Sequence, residues 1–473
     1  MIKNKFSSVL LIYGFGLTVN RLLSFLLLPL LTNTLLPAEY GLWTLLQTLY
    51  LALLTLSIHG MDEAILRFSS ATPETRRNFL PAAISGSAVA AILASLVALI
   101  PLHALLPAGS GKATYSLFFG LWLLSDTLSL VMASYFRAAE RPFPVALLLA
   151  CQNVVLILLL YALTVRAPGG VAGVLKAHSL TALLSMLFWV PLVLREKMGR
   201  PSGRDYRKLA GFGLPLMVVA FMGLLTIYLD RYLVNYFLGE EMTGVYSVGY
   251  KLGMVTFALL SAFRMGWYPK FYTVHESEGR QAALEYGRNL LPLMLLAAGS
   301  TAFLVSTFAG QIAAFPVPGG TFIGREYWSG LSLVGLISLA YLLDGGATLT
   351  DAFLYFDRRV KLILVAAGSA LLFNIVLNLL LIRPLGLEGA ALSTFLSYAI
   401  LFTAIQVINR KALGLQLMTA KSLFLIMYFI VITVAGQRVE QIWIKAAMAI
   451  AHCGLALYLY LGRKHGPSGK PAA

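Results

Sequence analysis

Fourteen apolar segments, each near the length of a membrane-spanning helix, follow one another along this chain. Positive charge gathers in every second connection between them. A spanning helix needs roughly 20 mostly apolar residues. Such segments lie near residues 9–31, 40–66, 80–104, 115–136, 143–164, 172–194, 211–237, 243–268, 289–314, 329–356, 360–382, 386–408, 418–436 and 442–462. They are apolar throughout, so they read as helices; a barrel strand would alternate and be about ten residues long. Of 36 Lys and Arg residues, 25 fall at the termini or in even-numbered connections, including the run Arg195, Lys197, Arg200, Arg204, Arg207 and Lys208. Six (Lys112, Arg166, Arg325, Arg383, Arg438 and Lys445) fall in the alternate connections. Cations concentrate on the cytoplasmic side of membrane proteins, so both termini are expected there, in a multi-pass cytoplasmic membrane protein. One missed helix would invert everything after it, so the alternation also checks the count.

Composition supports a membrane as solvent. Hydrophobic residues make up 59%, charged residues 12%, and mean hydropathy is +0.81, whereas soluble domains carry about 25% charged residues. The first segment follows Lys3 and Lys5, is long enough to span and lacks a small-residue cleavage site, so it is expected to be retained. The net charge of +16 points to no nucleic acid, because the cations flank spans. Cys151 and Cys453 lie in apolar stretches and imply no disulfide framework. Trp43, Trp189, Trp267, Trp328 and Trp443 lie near span ends, where anchoring at the interface accounts for them.

Three landmarks recur at offsets of about 200 to 217 residues. Gly14-Phe15-Gly16-Leu17 opens the first span and Gly211-Phe212-Gly213-Leu214 the seventh. An acidic turn follows each, at Glu39-Tyr40-Gly41 and at Glu241-Met242-Thr243-Gly244. Gly170-Val171-Ala172-Gly173 opens span six and Gly386-Leu387-Glu388-Gly389 span twelve. The reading is an all-α integral membrane protein of about 14 helices. It has a six-helix lobe (1–194), a basic cytoplasmic linker (195–210), a second six-helix lobe (211–408), and two further helices with a tail (409–473). Six is even, so the lobes are parallel repeats.

Charges within spans are costly and usually face a cavity or a partner. Arg21 lies in span one, Asp230-Arg231 in span seven, and Lys251 and Arg264 in span eight. Asp126 lies in span four, Lys176 in span six, and Asp344 and Asp351 in span ten. Interhelix pairing, such as Asp230 with Lys251, is the plain alternative to function. For Lys176, Asp62 and Arg264, near span ends, snorkelling also serves. Arg21, Arg231 and Lys251, with Arg264, are the candidate cavity cations for an anionic head group such as a diphosphate, which Arg grips bidentately. Asn374 and Asn378 share a face of span eleven; they suit helix–helix hydrogen bonds or, with Asp230, a hard-oxygen cation site. Gly14 and Gly16 open a spanning helix with no preceding strand, and no phosphate loop or paired-histidine zinc motif occurs, so the chain does not read as an enzyme. His59 beside Gly60 marks a helix irregularity, with a packed or hydrogen-bonded role for the histidine.

Four motifs carry a family resemblance over roughly residues 1–410. They are Leu28-Pro29-Leu30-Leu31 with Leu36-Pro37-Ala38-Glu39-Tyr40-Gly41; Gly60-Met61-Asp62-Glu63-Ala64-Ile65-Leu66-Arg67-Phe68; Asp230-Arg231; and Gly386-Leu387-Glu388-Gly389-Ala390-Ala391-Leu392-Ser393-Thr394. In order and spacing they resemble the multidrug/oligosaccharidyl-lipid/polysaccharide flippase superfamily, and within it the polysaccharide transporter branch of O-antigen-type flippases. The resemblance implies a V-shaped fold and a polyprenyl-diphosphate-linked glycan moved between leaflets by alternating access, for lipopolysaccharide or other surface polysaccharide. It implies no bound cofactor, coupling to Na+ or H+, membrane lipid and polysaccharide polymerase or assembly proteins as partners, and a monomer. A sodium site carried over from the related peptidoglycan-precursor flippases would comprise Asp230, Asn374, Asn378, Thr394 and the Ala390 carbonyl. A carboxylate would be expected where Asn378 stands. The rival functions are a cation-coupled multidrug exporter, which would favour an acidic or aromatic cavity, and a membrane-embedded polymerase or assembly partner, which would carry a large outside loop.

Overall fold

The computed structural model describes residues 26–69, 73–106, 111–196 and 198–461. After helical residues 26–32 the chain forms α1 (Pro37–Ile58), α2 (Met61–Ser69), α3 (Pro73–Leu105), α4 (Lys112–Ala138), α5 (Pro142–Leu160) with a π-turn at Tyr161–Arg166, α6 (Gly170–Leu194) and α7 (Gly203–Tyr228). Next come α8 (Asp230–Gly253), α9 (Val255–Glu278), α10 (Arg280–Thr307) and α11 (Ala309–Ala313). A two-stranded ribbon, β1 (Pro316–Val317) and β2 (Gly320–Thr321), then leads through a 3-10 helix (Arg325–Leu333) to α12 (Val334–Phe356), α13 (Val360–Leu413), α14 (Ala420–Arg438) and α15 (Ile442–Leu461).

Among the described residues ten helical segments are long and apolar enough to cross a membrane. The chain is therefore a multi-pass membrane protein, nearly all helix. Three segments run 51, 53 and 54 residues. The longest would reach about 80 Å as a straight helix, against a hydrocarbon core of about 30 Å. Positive φ at Gly239, Gly279 and Gly386 divides them, and the pieces 240–253 and 255–278, the first too short to cross alone, together make one crossing, so the ten resolve into twelve crossings. The expected first span lies largely outside the described residues. The last is a shorter apolar helix over Ile442–Leu457.

The chain divides into two units, Met1–Leu229 and Asp230–Ala473. The division differs from the lobe boundary read at 195–210. Helix α7, expected to begin the second lobe, packs on α1, α2 and α3 of the first unit, and its Leu209 and Ala210 join a core with Met61, Phe79, Phe136 and Trp189. The reason is a backbone contact: a Cβ on Gly60 would lie 2.2 Å from the Gly213 carbonyl oxygen. The irregularity read at His59-Gly60 is present, with both residues at positive φ between α1 and α2. The buried His59 ring meets the Ser57 carbonyl at 2.8 Å through Nδ1 and the Tyr206 hydroxyl at 3.3 Å through Nε2.

The repeat has a structural counterpart. Gly170 and Gly386 have φ of 52° and 58°. Three residues on, a Cβ at Gly173 would meet the Leu163 carbonyl oxygen at 2.3 Å, and one at Gly389 the Leu381 carbonyl oxygen at 2.1 Å. Each glycine pair turns the chain and lets the returning helix close on the one before it. A second parallel concerns aspartates. Asp126 on α4 accepts hydrogen bonds from Tyr50 on α1 and from Trp122. Asp344 and Asp351 on α12 accept them from Arg264 and Tyr268 on α9.

Three of the tryptophans are packing elements rather than interface anchors. Trp43, Trp189 and Trp267 are each at most 2% exposed. Trp43 stacks on Trp122, Trp189 donates to Ser129 and stacks on Phe136, and Trp267 stacks on Tyr286. Aromatic area is worth more in helix packing here than at the rim. Trp443, 83% exposed, keeps the anchoring position.

Candidate functional site

The in-span charges of the C-terminal unit fall into two groups around α12, whose residues are almost all buried against α8, α9, α10, α13 and α14. The first begins where α8 begins. Asp230 and Arg231 are 1% and 2% exposed. One carboxylate oxygen of Asp230 accepts from Arg231 Nη1 at 3.0 Å, and the other from the Tyr246 hydroxyl at 2.6 Å. The guanidinium lies 4.4 Å from the Tyr250 ring centroid, a cation–π contact that offsets part of its desolvation. The Tyr250 hydroxyl meets that of Tyr341 at 3.0 Å, and Tyr341 packs on Tyr398. A charge pair, one aromatic face and a short hydroxyl chain thus meet inside the C-terminal unit.

The second group is a pair of rungs. Arg264 donates through Nη2 to Asp344, and Tyr268 donates to Asp351 at 3.0 Å. Both residue numbers rise from one rung to the next, so α9 and α12 run parallel, as helices separated by one crossing must. Arg264 is 28% exposed, and its Nε is buried with no partner. This is an interhelix ion pair with donors left over, rather than a snorkelling cation.

Several expectations change. Asp230 pairs with its neighbour Arg231 and with Tyr246, where Lys251 was the alternative read from sequence. Lys251 is half-buried on α8. Arg264 lies on the next helix, α9, beyond a break at Met254, so helical spacing alone does not relate the faces of the two. Arg21 lies outside the described residues. Lys176 is half-buried, with its ammonium 5.7 Å from the Phe118 ring. The tyrosines were missed. The signal for them was present: Tyr246 and Tyr250, like Arg264 and Tyr268, are one turn apart on a helix face.

Several of the carried-over sodium ligands already hold hydrogen bonds. The single carboxylate, Asp230, is already neutralised by Arg231. Thr394 donates to the Ala390 carbonyl at 3.1 Å. Asn378 donates to the backbone and side-chain oxygens of Asn374. Its own amide oxygen is buried without a partner, as is that of Asn409 further along α13. Among the described residues no group of three or more His, Cys, Asp or Glu could hold a metal ion. Replacing potassium by sodium is accordingly expected to leave the melting temperature of the purified protein unchanged within a degree. A rise of several degrees in sodium, absent in Asp230→Asn, would restore the site.

Comparison with known proteins bears on the family and the fold. A family model described as polysaccharide biosynthesis protein matches residues 8–275, more than half of the chain. A curated relative, the probable low-salt glycan biosynthesis flippase Agl15 of Haloferax volcanii, is 21% identical over 223 residues, which is 47% of this chain and 46% of the relative. The match thus spans about half of that relative's length. In fold the chain is similar to the lipid II flippase MurJ in an inward closed conformation, with TM-score 0.75 and 12% identity over 96% of this chain and 99% of that one. It is also similar to the MATE transporter VcmN of Vibrio cholerae, with TM-score 0.61 and 15% identity over 87% and 97%. Each of these proteins bears the name of a flippase or transporter. With a multi-pass helical fold of this kind and a family model matched over most of its first 275 residues, the chain belongs to the polysaccharide biosynthesis protein family.

Proposed function

We propose that this protein is a flippase for a lipid-linked oligosaccharide, carried on a polyprenyl diphosphate and moved from the cytoplasmic to the outer leaflet of the cytoplasmic membrane by alternating access. The observation that carries the reading is Arg264. It is a half-buried guanidinium on a spanning helix, tied to Asp344 through one Nη and retaining free donors. In a low-dielectric setting such a fork favours a diphosphate, which it can grip bidentately. Lys251 and Arg21 add positive charge to the head-group site, and Arg231 joins them when its bond to Asp230 opens. The uncharged polyprenyl tail stays in lipid, so only the head group needs a polar path. O-antigen is the glycan class the reading takes, with a polymerase consuming the product and the termini on the cytoplasmic side.

The test is translocation of a labelled polyprenyl-diphosphate oligosaccharide in reconstituted vesicles. Arg264→Lys keeps the charge next to Asp344 and loses the fork, so it is expected to lower the rate at least tenfold with little change in melting temperature. Lys251→Ala and Arg21→Ala are expected to lower it severalfold each. Full activity in all three variants would overturn the assignment of these cations.

One observation favours a second reading. The buried group of Asp126, Tyr50 and Trp122 in the first unit is acidic and aromatic, as a cation exporter would need. Efflux of a lipophilic cation lost in Asp126→Asn, with no glycan-lipid movement by wild type, would decide for the exporter.

A further inference from the structure

A cavity of about 450 Å³ lies where five helix ends of the C-terminal unit meet. Its lining comes from the end of α10 (Thr307), the 3-10 helix before α12 (Ser332), residue 388 of α13, the end of α14 (Arg438) and the start of α15 (Lys445). Alternation of the basic connections puts all five ends on the same side of the membrane, opposite the 25 cations. Arg438 and Lys445 are two of only six cations on that side, where positive charge is otherwise sparse.

Lys445 is 9% exposed, and among the described residues no acceptor bonds its ammonium. The stem is buried while the ammonium stays open to the cavity, a setting that favours an anion beside it. Thr307 contributes a buried hydroxyl that also lacks a partner. Beside the cavity the surface turns apolar: Val434 lines it, and Ile442, Trp443 and Ile444 are exposed at the start of α15. An interfacial tryptophan next to a cationic cavity marks the depth of lipid phosphates.

We propose that this cavity binds the phosphodiester head group of a membrane phospholipid. Lys445 and Arg438 hold the phosphate, the Thr307 hydroxyl donates to it, and the acyl chains run past Val434 and Trp443. Glu388 lines the same cavity and would accept the ammonium of a phosphoethanolamine; a phosphoglycerol head group would instead meet it as a neighbouring negative charge. The site is separate from the in-span charges, and the inference does not depend on the transport reading.

The experiment uses the full chain in detergent, stripped of lipid, with binding followed by native mass spectrometry. Phosphatidylglycerol, phosphatidylethanolamine and soluble glycerol phosphate are titrated in turn. One of the two lipids is expected to bind at least tenfold more tightly than glycerol phosphate, and the Lys445→Gln, Arg438→Gln double variant is expected to lose that affinity at least tenfold. Lys445→Met serves as the folding control and should keep the lipid-free melting temperature, since a buried thioether needs no partner. Glu388→Gln separates the sources: it weakens phosphatidylethanolamine if the amine sits there, and strengthens phosphatidylglycerol if it does not. Equal lipid binding by wild type and the double variant, or glycerol phosphate binding as tightly as lipid, would overturn the proposal.

Discussion

Asp230→Ala is expected to destabilise the C-terminal unit by about 3–5 kcal/mol, the usual cost of leaving one member of a buried ion pair uncompensated. The arrangement makes this position unusually exposed to loss. Arg231 would keep its charge at 2% exposure without the carboxylate that now pairs with it. Tyr246 would lose the acceptor for its hydroxyl, now 2.6 Å away. Adding Arg231→Met to Asp230→Ala is expected to recover most of the loss, because an apolar pair of similar volume removes both desolvation penalties. A melt in detergent of wild type, the two single variants and the double variant gives the coupling directly. If Asp230→Ala alone melts with wild type, the pair is not structural, and Arg231 is then free to serve the head-group site.

That result bears on which charges do which work. On sequence alone, Asp230, Arg231, Lys251 and Arg264 are four charges in two spans, open to cavity, pairing or snorkelling roles alike. Apolar run length predicts that a helix crosses, and basic connections predict its direction, because both depend on the chain alone against its solvent. The choice of partner depends on which helix lies opposite. Arg264 meets Asp344 across 80 residues of chain, whereas Asp230 meets its own neighbour. No spacing rule distinguishes those outcomes. The tryptophans show the same limit: position near a span end was legible, but Trp43, Trp189 and Trp267 face other helices. The glycine landmarks were more legible than the charges, since a positive φ or a backbone contact restricts residue type at the position itself. Gly170 and Gly386 turn the chain at matching places for that reason. The boundary between units was not legible, because the repeat motif at Gly211-Phe212-Gly213-Leu214 records a likeness of sequence, whereas the grouping of α7 follows from what Gly213 touches.

Replacing either member of that contact should therefore be the second severe substitution. Gly60 stands at φ 75°, and its missing Cβ would be 2.2 Å from the Gly213 carbonyl oxygen. A Cβ on Gly213 would be 2.7 Å from the carbonyl oxygens of both His59 and Gly60. The opposing atoms are backbone, so no side chain can swing aside; α7 must move away from the α1–α2 junction or the helices must bend. Overpacking of this kind costs about 1–3 kcal/mol, and at Gly60 a left-handed backbone adds roughly 1 kcal/mol or more. Gly60→Ala is thus expected to cost about 2–4 kcal/mol and Gly213→Ala about 1–3 kcal/mol. Gly223, on the same helix with nothing within 4 Å of a Cβ, is the control. Its change to Ala should be neutral or stabilising by up to about 1 kcal/mol. Melting temperatures of the three variants in detergent decide it. Should Gly213→Ala match Gly223→Ala, the close approach is not what holds α7 to the first unit. Two motifs that the sequence presents 150 residues apart, one closing a span and one opening another, would then have no structural reason to occur together. With the expected result, the glycine of each is required by the backbone of the other.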